Sequence, residues 1–211
     1  MTTATPMPPK HIWVITGPAG CGKTSVAEAL HATFNMPYLE GDTFHSPANV
    51  QKMANGEPLT DADRWDWLIT LREAAVAALL SSPSSPSTTN GTNSSSTTAS
   101  ANNVVVTCSA LKRKYRDVLR IAAYPYTQQQ QHTPPIRVHF IFLGTSEAIL
   151  MDRVRARQNH YMKDYMVHSQ VESLEAPMED ERDVLSVDAS GTSVEVKRLA
   201  EGVVRGVLER E

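Results

Sequence analysis

The chain has 211 residues, 20 Lys plus Arg against 23 Asp plus Glu, a formal charge of −3 and a sequence pI near 6.2. That balance argues against a general nucleic-acid binder, which grips phosphate backbones with clustered positive charge, while the length suits one domain and 41% hydrophobic content is enough for a core. No run approaches the roughly 20 apolar residues that cross a bilayer, the opening MTTATPMPPK lacks the apolar stretch of a secretory signal, and two cysteines, Cys21 and Cys108, are too few for a disulfide framework.

Residues 1–10 are expected to be a disordered N-terminus, and 11–211 one domain. The apolar run Ile12 to Thr16 reads as a strand that ends in a Gly-rich turn, and Lys23 to Phe34 follows with apolar residues at helical spacing. Met36 to Leu39 is a short second strand. Asp61 to Leu80 reads as a long helix opened by Thr60, with Asp63 three residues later as in an acidic capping box. From Ser81 to Asn103 the composition changes: 18 residues are Ser, Thr or Asn and none is charged or large and apolar, so this stretch reads as a mobile insertion (81–103). Val104 to Thr107, three valines and a threonine, is a buried strand by its β-branching. A second polar insertion, 124–135, carries a four-Gln run and Pro134-Pro135. Arg137 to Leu143 is the next strand, a helix follows from about Ser146 to Arg157, Val184 to Val187 is a fifth strand, and the last helix starts near Ser193. Five short strands alternating with helices imply an α/β fold, a parallel sheet with helices on both faces. Ligands of such sheets sit at the carboxyl ends of the strands.

The first such strand end carries Gly17-Pro18-Ala19-Gly20-Cys21-Gly22-Lys23-Thr24, followed by Ser25, which satisfies G-x-x-x-x-G-K-[ST] between a strand and a helix. Its glycines let successive backbone N–H groups curl toward phosphate oxygens, and the positive end of the following helix adds favourable field. Lys23 would reach the β- and γ-phosphates, and Thr24 would offer its hydroxyl to Mg²⁺. Cys21 occupies a free position of the motif with no neighbouring base. The loop predicts a nucleoside triphosphate ligand but not the reaction. After the second strand, Glu40-Gly41-Asp42-Thr43-Phe44-His45 places two carboxylates and an imidazole at the same edge. A carboxylate there can take a proton from a substrate hydroxyl and help hold Mg²⁺ through water; equally, Asp42 and His45 can cap a helix starting near Pro47.

In the order GPAGCGKT, EGDTFHSPANVQKMANGEPLTDADRWDWL, VVVTCSALKRKYRDVLR, the stretch from Phe140 through RVRARQNHYMKDYMVHSQVESLE, and DVLSVDAS, the chain resembles the gluconokinases, P-loop small-molecule kinases related in fold to shikimate and adenylate kinases. The matching segments span nearly all of it except the terminus and the two insertions. The resemblance implies a P-loop NTPase fold with a mobile lid at about 153–168, a cytoplasmic enzyme, and ATP- and Mg²⁺-dependent phosphorylation of D-gluconate at its terminal hydroxyl, yielding 6-phosphogluconate. It suggests a homodimer and no nucleic-acid or membrane partner.

Gluconate has one carboxylate and several hydroxyls, so its site needs cations and hydrogen-bonding side chains. Arg64, Lys112, Arg116 and Arg120 are the candidate cations, Arg116 and Arg120 being equally readable as part of a solvated basic helix face. His45, Lys52, His160 and Gln170 are the candidate polyol contacts. Asp42 is the candidate for orienting and deprotonating the attacking hydroxyl. Glu40, where many relatives have Asp, is placed nearer the metal with Thr24. Arg153 and Arg157, four apart on one helical face, would converge on the ATP phosphates when the lid closes. Trp65 and Trp67 read as packing residues. A kinase for shikimate or another sugar acid, and a sensor that binds nucleotide without turnover, are the alternative readings.

Overall fold

The computed structural model describes residues 8–81, 102–124, 134–156 and 164–210. Within them, β1 (Lys10–Thr16), β2 (Tyr38–Leu39), β3 (Asn103–Thr107), β4 (Ile136–Gly144) and β5 (Val184–Asp188) form one sheet in the order β2-β3-β1-β4-β5, each neighbouring pair parallel. The central β1 is buried along its whole length because it is covered on both faces. Ile12 and Val14 pack on one side and Trp13 and Ile15 on the other, the period-2 alternation of a strand.

The Trp13 side is covered by α1 (Lys23–Phe34) through Val26 and Leu30, and by α7 (Ser193–Leu208) through Val196, Ala200 and Val204. Leu150 and Val154 of α5 (Glu147–Ala156) and Val167 of α6 (Asp164–Glu172) complete it. The opposite side packs against Leu68, Leu71 and Leu79 of α3 (Asp61–Ser81) and Tyr115 and Leu119 of α4 (Arg113–Arg120). The expected capping of α3 is present: the Asp63 amide donates to the Thr60 hydroxyl at 3.4 Å, and the Asp63 carboxylate accepts from the Thr60 amide at 2.8 Å. A short helix α2 (Pro47–Ala54) with proline in its first turn lies before α3. None of the described helices is long and apolar enough to cross a membrane.

Three details differ from the expectation. The second strand is limited to Tyr38–Leu39, and Met36 is buried ahead of it. Asn103, which composition assigns to the polar insertion, is the first residue of β3, where its side-chain oxygen accepts the Trp13 indole N–H at 2.8 Å. Its polarity is a structural requirement, since a buried indole N–H needs an acceptor. The expected N-terminal segment 1–10 is also shortened, because Lys10 opens β1 and is buried. Residues 82–101 and 125–133 of the two insertions and residues 157–163 of the lid region lie outside the described residues.

The parallel register sets Trp13 opposite His139, with their rings stacked at 4.4 Å between centroids, and His11 stacks on both. His11 Nδ1 and His139 Nε2 share a hydrogen bond at 3.0 Å. Burial first, then His11 and Arg137, push the His139 imidazole down to about 4. A histidine with a folded pKa below its unfolded one binds fewer protons folded than unfolded between the two, so stability falls with pH across that window. We expect the unfolding free energy to drop between pH 6.5 and 4.5, by up to about 3 kcal/mol from this group. His139→Phe, which keeps a ring on Trp13 but cannot titrate, should flatten that slope in urea titrations; an unchanged slope would discount the assignment.

Candidate active site

The end of β1 dictates the first half of the site. Gly17 follows Thr16 with φ 138°, and a Cβ there would stand 2.9 Å from both the Cys21 sulfur and the Leu143 carbonyl, so only glycine lets the chain turn. The loop then runs to Lys23, the first residue of α1. The Lys23 ammonium donates to the Gly17 and Pro18 carbonyls at 2.9 and 3.0 Å, folded onto its own loop. Neighbouring chain ends hold the loop in place: the Ser109 carbonyl accepts from the Thr16 hydroxyl at 2.6 Å and the Gly17 amide at 3.3 Å. That brings the segment from Cys108 to Lys112 alongside. Cys21 and Cys108 are both buried, and desolvation raises both thiols, Cys108 to about 12. Neither is a nucleophile at neutral pH.

The chain leaving β2 supplies the second wall. Glu40 collects three hydroxyls, those of Thr24 at 3.1 Å, Tyr38 and Thr107. Gly41 has its backbone against Thr107, where a Cβ would meet the carbonyl oxygen at 2.0 Å, and its own carbonyl accepts the Trp67 indole N–H at 2.7 Å. Gly41–Phe44 then forms a turn of 3₁₀ helix that presents Asp42 to the cavity. Among the described residues the Asp42 carboxylate makes no hydrogen bond and no ion pair. His45 lies flat on Trp67, ring centroids 4.1 Å apart, and burial lowers its pKa, with Arg64 acting in the same direction and Asp42 against it. Its Nδ1 is buried without a partner.

The third wall comes from the start of α3 and from α4. Asp61 accepts from Lys112 at 3.0 Å and also from Lys114 and the Tyr115 hydroxyl, and these donors hold its carboxyl well below the usual carboxylate range. Arg64 donates to the Leu59 and Thr60 carbonyls and stands 5.5 Å above the Tyr115 ring, and among the described residues it has no carboxylate partner. The three walls enclose one cavity of about 340 Å³ that runs from Ala19, Lys23 and Thr24 past Asp42 and His45 to Arg64, Lys112 and Tyr115.

The structure thus gathers Ala19, Gly20, Gly22, Lys23, Thr24, Glu40, Asp42, His45, Arg64, Lys112 and Gln170 around one space. Other expected site residues point elsewhere. Arg116 is neither a substrate cation nor part of a solvated face: its side chain is 1% exposed and bonds both oxygens of the equally buried Glu181, at 2.8 and 2.6 Å, plus the Ala110 and Glu175 carbonyls. Lys52 is held by Asp63 at 2.6 Å and does not line the cavity. Arg153 donates to the Gly191 carbonyl at 2.7 Å, beside the loop after β5. Gln170 lies against the phosphate-binding loop, its side-chain oxygen accepting the Ala19 amide at 2.8 Å, and it lines the same cavity as His45 and Arg64. Arg157 and His160 lie outside the described residues. Sequence reasoning missed Asp61, Tyr115, Tyr38 and Thr107; the only signal for Thr107 was its place at the end of a valine strand. The packing reading of Trp67 holds, since it is buried and braces Gly41.

No family model matches the chain. It is 40% identical over 190 residues to "Probable gluconokinase" of Schizosaccharomyces pombe, covering 88% of this chain and 86% of that protein. It is 35% identical over 200 residues to "Thermoresistant gluconokinase" of Escherichia coli K12, covering 94% and 92%. In three dimensions it superposes with a TM-score of 0.73 and 33% identity on a gluconokinase crystal structure from Sinorhizobium meliloti 1021, covering 97% of each chain.

The buried Arg116–Glu181 pair makes a stability prediction independent of substrate. Arg116→Ala removes one of the two arginines on the buried Glu181 carboxylate, leaving it to Arg120 and the Met178 amide, and should cost about 2–3 kcal/mol in urea unfolding, whereas Arg116→Met with Glu181→Leu should regain part of it, Arg120 keeping Asp183. A loss below about 1 kcal/mol for the single variant would mean that water reaches Glu181.

Proposed function

The chain belongs to the gluconokinase family, and we propose that it transfers the terminal phosphoryl group of ATP to the C6 hydroxyl of D-gluconate, giving 6-phospho-D-gluconate and ADP. The observation that carries the acceptor assignment is the charge state of the third wall. Lys112 already has a carboxylate partner in Asp61, which it shares with Lys114, while Arg64 presents a guanidinium with no carboxylate partner among the described residues. A planar guanidinium is the natural partner for one substrate carboxylate. The unpartnered Nδ1 of His45 marks a second contact, because a buried ring nitrogen without a hydrogen bond is costly and a substrate hydroxyl would satisfy it. With its pKa lowered, His45 stays neutral at pH 7 and can accept or donate according to tautomer.

With the acid group at Arg64, the far end of a six-carbon chain extends toward Asp42 and the phosphate-binding loop. Asp42, exposed in the cavity, takes the proton of the C6 hydroxyl as its oxygen bonds to phosphorus and the bond to the β-phosphate oxygen breaks. Lys23 exchanges the Gly17 and Pro18 carbonyls for phosphate oxygens and follows the negative charge that develops on them. The residues fit a Mg²⁺ site of the usual kind: the Thr24 hydroxyl and Glu40 are adjacent hard oxygen donors, Asp42 lines the same cavity, and phosphates and water would supply the remaining positions. A bound Mg²⁺ would neutralise charge on the β- and γ-phosphates. Arg153 and Arg157 are assigned to lid closure over the nucleotide, which would exclude water from the transferred group.

The first test is coupled ADP release with Mg²⁺-ATP against D-gluconate, shikimate, other sugar acids, a nucleoside monophosphate and no acceptor. Selective stimulation by gluconate is expected; stimulation by another acid, or none with ATP still bound, would replace this reading. Arg64→Ala should raise the gluconate KM by roughly 10- to 100-fold, the worth of a charge-assisted pair, and leave the ATP KM within about twofold. Equal gluconate KM values in the two proteins would remove Arg64 from the acceptor site.

A further inference from the structure

The Ala19–Gln170 hydrogen bond has a consequence for the nucleotide. Ala19 is a free position of the phosphate-binding motif, and Gln170 lies on α6, outside every motif that binds phosphate. Because a backbone N–H can only donate, the Gln170 atom facing Ala19 at 2.8 Å must be the carboxamide oxygen, which fixes the orientation of the amide. Its NH₂ group therefore faces away from Ala19. Among the described residues no acceptor is bonded to it, although Gln170 lines the cavity.

The helix is held firmly enough for this orientation to count. Val167 is fully buried in the core, and His168, two residues before Gln170, bonds Glu147 of α5 at 2.7 Å. In the same cavity Lys23 and Thr24 mark the nucleotide's phosphates, and Asp42 and His45 mark the acceptor. The terminal phosphoryl group must pass between the two sets, along the loop limb to which Gln170 is tied.

We propose that Gln170, oriented by the Ala19 amide, donates its carboxamide N–H groups to the terminal phosphoryl group of the bound nucleotide, so that the site distinguishes a triphosphate from a diphosphate. This rests on the kinase reading above but not on gluconate as acceptor. Two anionic oxygens of a phosphoryl group match the two N–H donors of a carboxamide, and a neutral donor strengthens binding without competing with Asp42 for the substrate proton. After transfer the diphosphate leaves the carboxamide without that acceptor, which favours product release.

Binding of ADP and of a non-hydrolysable ATP analogue, each with Mg²⁺, can be compared by calorimetry for the wild type, Gln170→Glu and Gln170→Leu. Gln170→Glu keeps an acceptor for Ala19 but turns the donor end into a carboxylate oxygen; Gln170→Leu removes both. The analogue should bind about tenfold or more weakly to each variant, as expected when a hydrogen bond to a charged group is lost, while ADP affinity changes by less than about twofold. In turnover with gluconate, the ATP terms should fall and the gluconate KM should stay put. Equal weakening of ADP and analogue would reduce Gln170 to a brace of the loop, unchanged binding of both would remove it from the site, and a change confined to the gluconate KM would make it an acceptor contact; each outcome overturns the proposal. Should Gln170→Leu not fold, Gln170→Glu and Gln170→Met carry the comparison. Because the binding arms use no acceptor, a failed gluconate assay and a failed Gln170 assignment remain distinguishable.

Discussion

Everything at this site hangs from β1, a strand paired on both edges and covered on both faces. Such a strand offers no lateral surface to a ligand, and its backbone groups are consumed by β3 and β4. The chain becomes available only where it leaves the sheet. Since every neighbour is parallel, the segments leaving β2 and β3 arrive at the same edge, which is why Glu40, Asp42 and Ser109 meet the loop after Thr16 without any sequence proximity. The close approach of Gly41 to Thr107 and the shared Ser109 carbonyl are the joints of that edge. They set the separation between the phosphate-binding loop and Asp42, the carboxylate proposed to handle the acceptor, and phosphoryl transfer depends on such positioning more than on covalent chemistry.

Charge at the acceptor end is arranged by subtraction. The region around α4 is rich in cations, yet most of them already have internal counter-ions: Lys112 and Lys114 share Asp61, Arg113 has Asp180, Arg116 has Glu181, and Arg120 has Glu181 and Asp183. A cavity lined by all of these cations unpaired would attract any polyanion. At this wall, among the described residues, the Arg64 guanidinium without a carboxylate partner suits a ligand with a single carboxylate, and the carbonyls of Leu59 and Thr60 and the ring of Tyr115 keep it in one orientation. Asp61, a fixed position of the family motif to which the residues alone assign no role, removes charge from this wall.

What could be read from the sequence follows the range of the interactions involved. The strands, the phosphate-binding loop and the Thr60–Asp63 cap are local, and spacing of two to eight residues encodes them. The fate of a basic residue on a helix is not local. Arg116 and Arg120 have the spacing of a solvated face, but their partner Glu181 lies 65 and 61 residues further on, and only the packed chain brings it beneath α4. Lys52 was misread for a smaller reason, since Asp63 was credited with the helix cap and its second oxygen was left uncounted. Asn103 shows the same limit in composition: an Asn at the end of a Ser/Thr/Asn-rich stretch looks like part of it until the indole of Trp13 requires an acceptor.

The resting site also satisfies much of itself, and this determines where affinity comes from. Lys23 sits on loop carbonyls, Thr24 on Glu40, Lys112 on Asp61, and the Ala19 amide on Gln170. A ligand that replaces these bonds exchanges one hydrogen bond for another, and such exchanges contribute little net free energy. The groups left without protein partners among the described residues differ in kind: the Asp42 carboxylate, the buried His45 Nδ1, and the Gln170 NH₂. Bonds formed to these are gained outright, and they lie on the acceptor and terminal-phosphoryl stretch of the cavity. In the proposed reaction, binding energy would therefore be concentrated around the reacting atoms, where it can favour the transition state over the bound substrates.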